Sequence, residues 1–295
     1  MFKSIVLKDI KITDAQNFLQ HAIAPRPICF ASTIDAAGNV NLSPFSFFNL
    51  FSTNPPVAIF SPSRRGRDNT TKHTLQNILE VPEVAINIVS YNMVQQTSLS
   101  SCEFTKSTDE FLKTGFTKEP SQIIKPPRVK ESPVQLECKV LEVKELGTEG
   151  GAGNLVIAEV LIMHINENIL NTDGNIDQNK MDVVARLGGN WYARVNEKNI
   201  FEVEKPNTQL GIGVDTLPEN IRNSKILTGN NLGQLANVHE YPFVDPAFED
   251  EKLKNIFLYF STDTEEMEKE LHLYAKQLLD NGKVTEAWQV LLALN

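Results

Sequence analysis

The sequence predicts a mainly β protein, an antiparallel barrel with helical additions and a C-terminal helical segment. Short apolar runs rich in β-branched residues recur up to about residue 200 of the 295, separated by connections rich in Gly, Pro, Asn and Asp. They lack the regular alternation with helices that marks a doubly wound parallel sheet. Beyond this point the pattern becomes irregular and then helical. We therefore predict two domains, residues 1–205 and 206–295.

The elements of the first domain follow from local patterns. Thr13-Asp14-Ala15-Gln16 resembles a capping box and predicts a short helix that stops before Pro25. Apolar runs and helical spacing then predict six strands and two more helices. The strands are expected at 28–34, 40–46, 57–60, 84–89, 134–143 and 155–165, and the helices at 72–80 and 93–100. Residues 90–130 form an excursion long enough to cover the barrel.

Two amphipathic faces near the C terminus predict a pair of helices. Leu271, Tyr274 and Leu278 share one face, Asn281-Gly282 is a stop signal, and a second face follows in residues 284–292. The pair resembles one tetratricopeptide hairpin, but a solenoid needs about three stacked units. We therefore favour a helical cap that packs on the barrel or on a second subunit.

Charge and composition exclude several classes of protein. A formal net charge of -9 argues against general binding to nucleic acid or anionic membranes, which requires a basic surface. No stretch approaches the roughly 18 apolar residues of a membrane helix, and Met1 to Lys11 lacks a signal-peptide pattern. The odd and scattered cysteines, Cys29, Cys102 and Cys138, fit a reducing compartment, so we expect a cytoplasmic protein.

A cationic loop precedes the helix predicted at 72–80. Residues 61–73 contain Arg64, Arg65, Arg67 and Lys72 against Asp68, a local charge of +3. Cations, hydroxyls and a helix N-terminus all stabilise a phosphate dianion. The loop matches neither GxxxxGK[ST] nor GxGxxG. A phosphate cradle and a solvated loop whose arginines pair with surface acids therefore both remain open.

Just upstream, residues 43–51 place four phenylalanines among polar side chains. Phe45, Phe47 and Phe51 alternate and are expected to face a core. The remaining side chains could meet a flat heteroaromatic ring: Ser43, Ser46, Phe48 and Asn49. Simple aromatic packing is the alternative.

The sequence offers little for other chemistries. The five histidines show no HExxH or clustered ligand spacing, so we expect no metal site. His164 is expected to be a satisfied core or rim residue, and Cys138 inert packing. Gly151-Ala152-Gly153 precedes a strand, which marks a turn and not a dinucleotide fingerprint. Without a GxSxG motif or an activated cysteine, we assign no catalytic residue.

Several of these segments resemble motifs of the flavin reductase-like, FMN-binding split-barrel proteins, specifically the flavoredoxin-like branch. The resemblance covers roughly residues 13–205. It is carried mainly by Arg26-Pro27-Ile28, Ser32-Thr33-Ile34-Asp35, Ser43-Pro44-Phe45-Ser46-Phe47-Phe48, Lys72-His73-Thr74 and Ala185-Arg186-Leu187-Gly188-Gly189-Asn190-Trp191-Tyr192. Two departures stand out. His73 replaces a frequent Asp and makes the loop more positive, and Asn154 stands where many short-chain reductases have a His.

The resemblance implies a six-stranded split barrel that forms a homodimer, with one FMN per subunit near the dimer interface. It also implies site residues. Ser43, Ser46, Phe47, Phe48 and Asn49 would line the isoalloxazine and ribityl part, and Ser61, Arg64, Lys72 and Thr74 would hold the phosphate.

The function that the resemblance implies is an FMN-binding oxidoreductase, with NADH or NADPH passing a hydride to the flavin. The cofactor carries this chemistry, which agrees with the lack of an acid–base pair. The alternatives are a flavoredoxin-type FMN electron carrier with a redox partner protein, and a non-enzymatic flavin-binding module whose helical tail binds a partner. Arg186 and Trp191-Tyr192 could either approach the flavin or cap the barrel.

Overall fold

The computed structural model describes residues 1–203 and 210–293, and the chain divides into two compact units, Met1–Phe201 and Glu202–Asn295. The domain boundary predicted between Lys205 and Pro206 lies outside the described residues. Each unit has its own hydrophobic core.

The first unit is built on one seven-stranded antiparallel sheet, accompanied by short helices. The strands are β1 (Cys29–Ile34), β2 (Val40–Phe45), β3 (Phe48–Thr53), β4 (Pro56–Phe60), β5 (Glu83–Ile88), β6 (Lys118–Glu119), β7 (Arg128–Val129), β8 (Val134–Glu145), β9 (Asn154–Ile165), β10 (Val184–Arg186) and β11 (Tyr192–Arg194). The helices are α1 (Ile12–Ala22), α2 (His73–Glu80), α3 (Val94–Leu99), α4 (Glu110–Thr114) and α5 (Gln178–Met181).

The strand order in the large sheet is β2-β1-β5-β8-β9-β4-β3, so β2 and β3 are its two edges. These edges are consecutive in sequence and are joined only by Ser46 and Phe47. Three residue steps span at most about 11 Å, so the sheet must curl until its edges nearly meet. Two register shifts between β8 and β9, at Glu137/Cys138 and Val140/Glu142, are bulges that help a strand to bend. Within the described residues, no ladder joins β2 to β3, so the barrel is not closed.

The predicted architecture, a mainly antiparallel sheet with helices and a C-terminal helical region, is confirmed. The strand count is seven and not six, because the segment after Ser46 forms the strand β3 and pairs with β4. The bend at Ser46–Phe47 also interrupts the expected alternation of phenylalanines. Phe45 is buried, but Phe47 and Phe51 are 44% and 65% exposed, so the prediction that they face the core is wrong.

The predicted capping box at Thr13 is also wrong. Helix α1 already begins at Ile12, and Lys11, its N-cap residue, makes no side-chain cap hydrogen bond. Thr13 therefore lies inside the first turn and cannot act as the N-cap.

A buried carboxylate fixes the excursion at residues 90–130 to the sheet. Glu137 on β8 is completely buried and accepts hydrogen bonds from the backbone N–H groups of Gln122 (2.7 Å) and Ile123 (2.8 Å). His164 Nε2 on β9 lies 2.8 Å from the same carboxylate, which confirms it as a satisfied rim residue. Although burial opposes ionisation, these hydrogen bonds lower the pKa of Glu137.

The second unit is helical around a core that includes Trp288 and Leu271. Its helices are α6 (Glu219–Arg222), α7 (Gly229–Ala236), α8 (Glu251–Tyr259), α9 (Thr264–Asp280) and α10 (Val284–Leu292). The predicted C-terminal pair corresponds to α9 and α10. The preceding stretch, expected to be irregular, contains α7 and α8, which begin at the side-chain caps Thr228 and Asp250. Among the helices of residues 1–203 and 210–293, none combines the length and apolarity required to cross a membrane.

We predict that Glu137→Gln destabilises the first unit. The glutamine amide replaces a charged acceptor, and its N–H₂ group would face backbone N–H donors. This loss of hydrogen bonds is expected to lower the free energy of unfolding by about 2 kcal/mol. Urea denaturation measures the change. Glu142→Gln, an exposed position on the same strand, is the control and is expected to stay within about 0.5 kcal/mol of the unchanged protein. Equal stability of the two variants would show that Glu137 does not fix the excursion to the sheet.

Candidate functional site

A cavity of about 400 Å³ lies where the two edges of the sheet approach each other. Its walls come from the Ser43–Phe47 segment, the loop after β4, and Gln16 and Gln20 of helix α1. Ser101 and Glu103, which follow α3, complete the lining. The backbone N–H of Ser61 donates to the Phe47 carbonyl (2.9 Å), so the start of the cationic loop is attached directly to the link between the edges.

The cationic loop is held in shape by its own side chains. Arg64 donates from Nε to Asn69 Oδ1 (2.7 Å) and from its guanidinium to the Asn69 carbonyl (2.8 Å). Asn69 has a φ of 55°, a left-handed conformation that asparagine tolerates better than most residues. Arg65 donates to the Thr71 carbonyl (2.5 Å) and the Thr70 hydroxyl (2.9 Å). The loop's own hydrogen bonds therefore define its conformation.

The glycine-rich turn between β8 and β9 supports this loop from behind. Arg64 N–H donates to the Ala152 carbonyl (2.8 Å), and Gly151 N–H donates back to the Arg64 carbonyl (3.0 Å). A Cβ at Gly153 would lie 2.7 Å from Ser61 Oγ, so only glycine allows this approach. Asn154 is fully buried and donates to the Pro62 carbonyl (2.8 Å). The turn thus positions the serine end of the loop.

Seven polar groups that line the cavity have no side-chain hydrogen-bond or ion-pair partner among the residues that the structure describes. They are the hydroxyls of Ser43, Ser46, Ser61 and Ser63, the ammonium of Lys72, and the side-chain amides of Gln16 and Gln20. Lys72 is half-buried, and burial together with the nearby Arg65 lowers the pKa of its ammonium. Burial therefore disfavours the charged form, and no carboxylate of the described residues forms an ion pair with this ammonium. An anion that also accepts hydrogen bonds would match this set.

The other loop cations are already paired. Arg65 Nε lies 3.2 Å from Glu103, and Arg67 pairs with both Glu103 and Asp68. His73 does not line the cavity, and burial and Arg65 lower the pKa of its imidazole. Even a neutral imidazole at this position leaves the loop more positive than the frequent Asp would, because it carries no negative charge.

The nine residues predicted to bind the cofactor separate into two groups. Six line the cavity: Ser43, Ser46, Phe47, Ser61, Arg64 and Lys72. Three do not. Phe48 packs against the core, Asn49 is exposed on β3 and accepts from the Leu50 N–H, and Thr74 is buried and accepts from Asn41 Nδ2 (2.9 Å).

A second cavity, of about 670 Å³, shares Pro44, Phe45, Ser46 and Ser101 with the first. Arg186 and Arg194 both line it. Arg194 stacks on Tyr91 and forms a two-point ion pair with Asp182 (2.6 and 2.9 Å). Arg186 has no acidic partner in the described part of the chain. It lies over the ring of Tyr192 at 4.5 Å and donates to the Gly189 carbonyl (2.8 Å).

Of the two roles left open for Arg186 and Tyr192, this position favours approach to a ligand over capping of the barrel. Trp191 is not part of the lining and is 73% exposed.

Arg26 is a supporting residue whose role sequence analysis did not assign. Its buried guanidinium donates to the carbonyls of Gln20 and Ile23 (both 2.6 Å) at the end of α1, and to that of Leu187 (3.0 Å). Helix α1 is thereby joined to the segment that carries Arg186. The signal available in the sequence was the motif Arg26-Pro27-Ile28 directly after a helix, where a cation can satisfy the last carbonyls.

None of the three cysteines lines either cavity. Cys29, Cys102 and Cys138 are free thiols, and burial raises the pKa of Cys138 to about 12. Cys138 is therefore protonated, in agreement with inert packing.

The fold combines a curled antiparallel sheet with a cationic cavity where its two edges approach each other. The family described as flavin reductase like domain matches residues 21–180, more than half of the chain. The chain belongs to this family. An uncharacterized protein of Aquifex aeolicus is 36% identical over 172 residues, covering 58% of this chain and 85% of that protein.

Solved structures agree with this assignment. Nitrilotriacetate monooxygenase component B from Bacillus cereus is 27% identical and superposes with a TM-score of 0.64, covering 69% of this chain and 99% of the other. Flavoredoxin of Desulfovibrio vulgaris (Miyazaki F), at 23% identity and a TM-score of 0.52, covers 61% of this chain and 90% of its own and supports the fold alone.

Proposed function

We propose that this protein is an FMN-binding oxidoreductase that uses NADH or NADPH to reduce flavin. The observation that carries the proposal is the set of unpartnered hydroxyls around Lys72, in a cavity that shares lining residues with a second one. Membership of the flavin reductase-like family supports flavin-related redox chemistry. The similarity to a monooxygenase component, at 27% identity, points in the same direction.

The residues present fit FMN. Its terminal phosphate is a dianion with several acceptor oxygens, and Lys72, Ser61 and Ser63 offer a cation and hydroxyl donors that lack other partners. Arg64 would act mainly through the loop shape that it maintains with Asn69. A loop held in shape by its own hydrogen bonds would lose little conformational entropy on binding.

The ring end of the cofactor would lie along the Ser43–Phe47 segment. Pro44 and Phe45 provide apolar surface shared by both cavities, and Ser43 and Ser46 provide hydroxyls beside it. Phe47, at 44% exposure, can cover an aromatic ring. We propose that Phe48, Asn49 and Thr74, which do not line the cavity, do not contact the ligand.

Bound FMN would supply the hydride-accepting N5 position, so the protein needs no acid–base pair. The chain's own residues bind the phosphate, orient the ring segment and exclude water. The larger cavity offers room for a second substrate, with the guanidinium of Arg186 as an unpaired cation for its anionic part. Such a cavity favours a reductase over a carrier that exchanges electrons only with a protein.

We also propose a homodimer. Helix α1 has no buried residue, although Ile12, Phe18, Leu19 and Ile23 give it an apolar stripe. Strand β3 likewise exposes apolar side chains. Apolar surface of this kind on a protein from this family fits subunit contact. Sedimentation equilibrium of the full chain is expected to give twice the monomer mass of 33.0 kDa, and a monomer at micromolar concentration would contradict the proposal.

We predict that Lys72→Ala weakens FMN binding by about tenfold and leaves riboflavin binding unchanged, because only FMN carries the phosphate. Quenching of flavin fluorescence measures both affinities. Lys106→Ala, which removes an exposed cation outside the cavity, is the control and is expected to bind FMN like the unchanged protein. An equal loss for FMN and riboflavin would show that Lys72 does not contact the phosphate.

Anaerobic mixing of the FMN-loaded protein with NADH or NADPH tests the reaction itself. Bleaching of the flavin absorption band is expected with at least one donor, because hydride transfer to N5 removes that band. Bleaching only by a protein donor would identify an electron carrier instead.

Arg186→Gln is expected to raise the donor concentration needed for half-maximal rate by about tenfold with FMN affinity unchanged.

A further inference from the structure

We propose that Glu103 makes the site selective for flavins that end in a single phosphate, by closing the outer end of the phosphate cavity against dinucleotides such as FAD. This inference rests on the proposed flavin site. Glu103 belongs to the segment after α3 and is not part of the cationic loop, yet it lines the same cavity as Lys72 and the four serines.

The contacts of Glu103 place its carboxylate at the rim. It lies 3.2 Å from Nε of Arg65, whose side chain is 15% exposed, and also pairs with Arg67, whose side chain is 68% exposed. Both arginines line the cavity. The carboxylate therefore bridges an inner and an outer cation, between the half-buried Lys72 and solvent.

A terminal phosphate and a dinucleotide would occupy the cavity differently. The phosphate of FMN can end at Lys72 and the serine hydroxyls. In FAD the same phosphate continues into a second phosphate and an adenosine, which must leave the cavity. Glu103 occupies space in the cavity lining and neutralises Arg65 and Arg67, so a second phosphate beside it would meet a carboxylate in place of two unpaired cations.

Stability does not explain the arrangement, because exposed ion pairs contribute little to folding. The side chain of Glu103 is 41% exposed. Asp68 provides a comparison within the same loop. It also pairs with Arg67, and the hydrogen bonds from Thr70 lower its pKa to about 2, but it does not line the cavity. Removing the charge of Asp68 therefore changes the net charge around Arg67 by the same amount as removing that of Glu103, but leaves the cavity lining unchanged.

The test compares FMN, FAD and riboflavin binding to the full-length apoprotein and to three variants, by fluorescence quenching. The unchanged protein is expected to bind FMN at least about tenfold more tightly than FAD. Glu103→Gln removes the charge, and Glu103→Ala removes both the charge and the bulk of the side chain. Each variant is expected to reduce the ratio of FMN affinity to FAD affinity, called the gap below, by about five- to tenfold. Asp68→Asn is expected to keep the gap, and riboflavin affinity is expected to stay constant throughout.

The outcomes are separable. Equal affinity of the unchanged protein for FMN and FAD would overturn the inference. So would a gap that persists in both Glu103 variants, or one that narrows equally in Asp68→Asn. In each of these cases the proposed flavin site would stand, because FMN still binds. Failure of the unchanged protein to bind either FMN or riboflavin would overturn the proposed function together with the inference.

Discussion

The two-residue link Ser46–Phe47 ties opposite edges of the seven-stranded sheet together. The two edge strands of this sheet, β2 and β3, follow one another in the chain. The sheet cannot lie flat, because two linking residues span much less than its width. The curl creates the concave region in which both cavities lie. The Phe47 carbonyl then receives the Ser61 N–H, so the constraint that bends the sheet also fixes where the cationic loop begins.

Within that loop, cations of the same charge have different roles. Arg64 satisfies Asn69 and so shapes the loop, while Arg65 and Arg67 are neutralised by Glu103. Lys72 alone among these four remains without a described partner, at the end of the loop where α2 begins. A planar guanidinium forms several fixed hydrogen bonds and suits structural roles, whereas a compact ammonium can meet a phosphate as a point charge. The residue types therefore agree with the division of roles.

Six strands of the large sheet and the cationic loop were predicted because these depend on local patterns, whereas the short strands β6, β7, β10 and β11 were not. Periodicity in residues 134–165 reports burial directly, and the charge of residues 61–73 is evident without a structure. Strand β3 escaped prediction because its run shows no alternation across the bend, and an edge strand with exposed Leu50 and Phe51 resembles a ligand-contact segment. The ion pair of Arg67 with Glu103 and the hydrogen bond of Arg26 to Leu187 join residues 36 and 161 positions apart, and no local pattern encodes such distances.

The formal net charge of -9 says little about the phosphate cavity. Residues 240–295 hold 12 acids against 5 lysines, so most of the excess belongs to the second unit. At physiological salt, exposed charges are screened beyond about 8 Å, and an anion responds mainly to the groups that line its site. There, Arg64, Arg65, Arg67 and Lys72 face a single lining carboxylate, Glu103. An acidic chain can therefore hold a phosphate in one cavity without the broad basic surface that would attract nucleic acid.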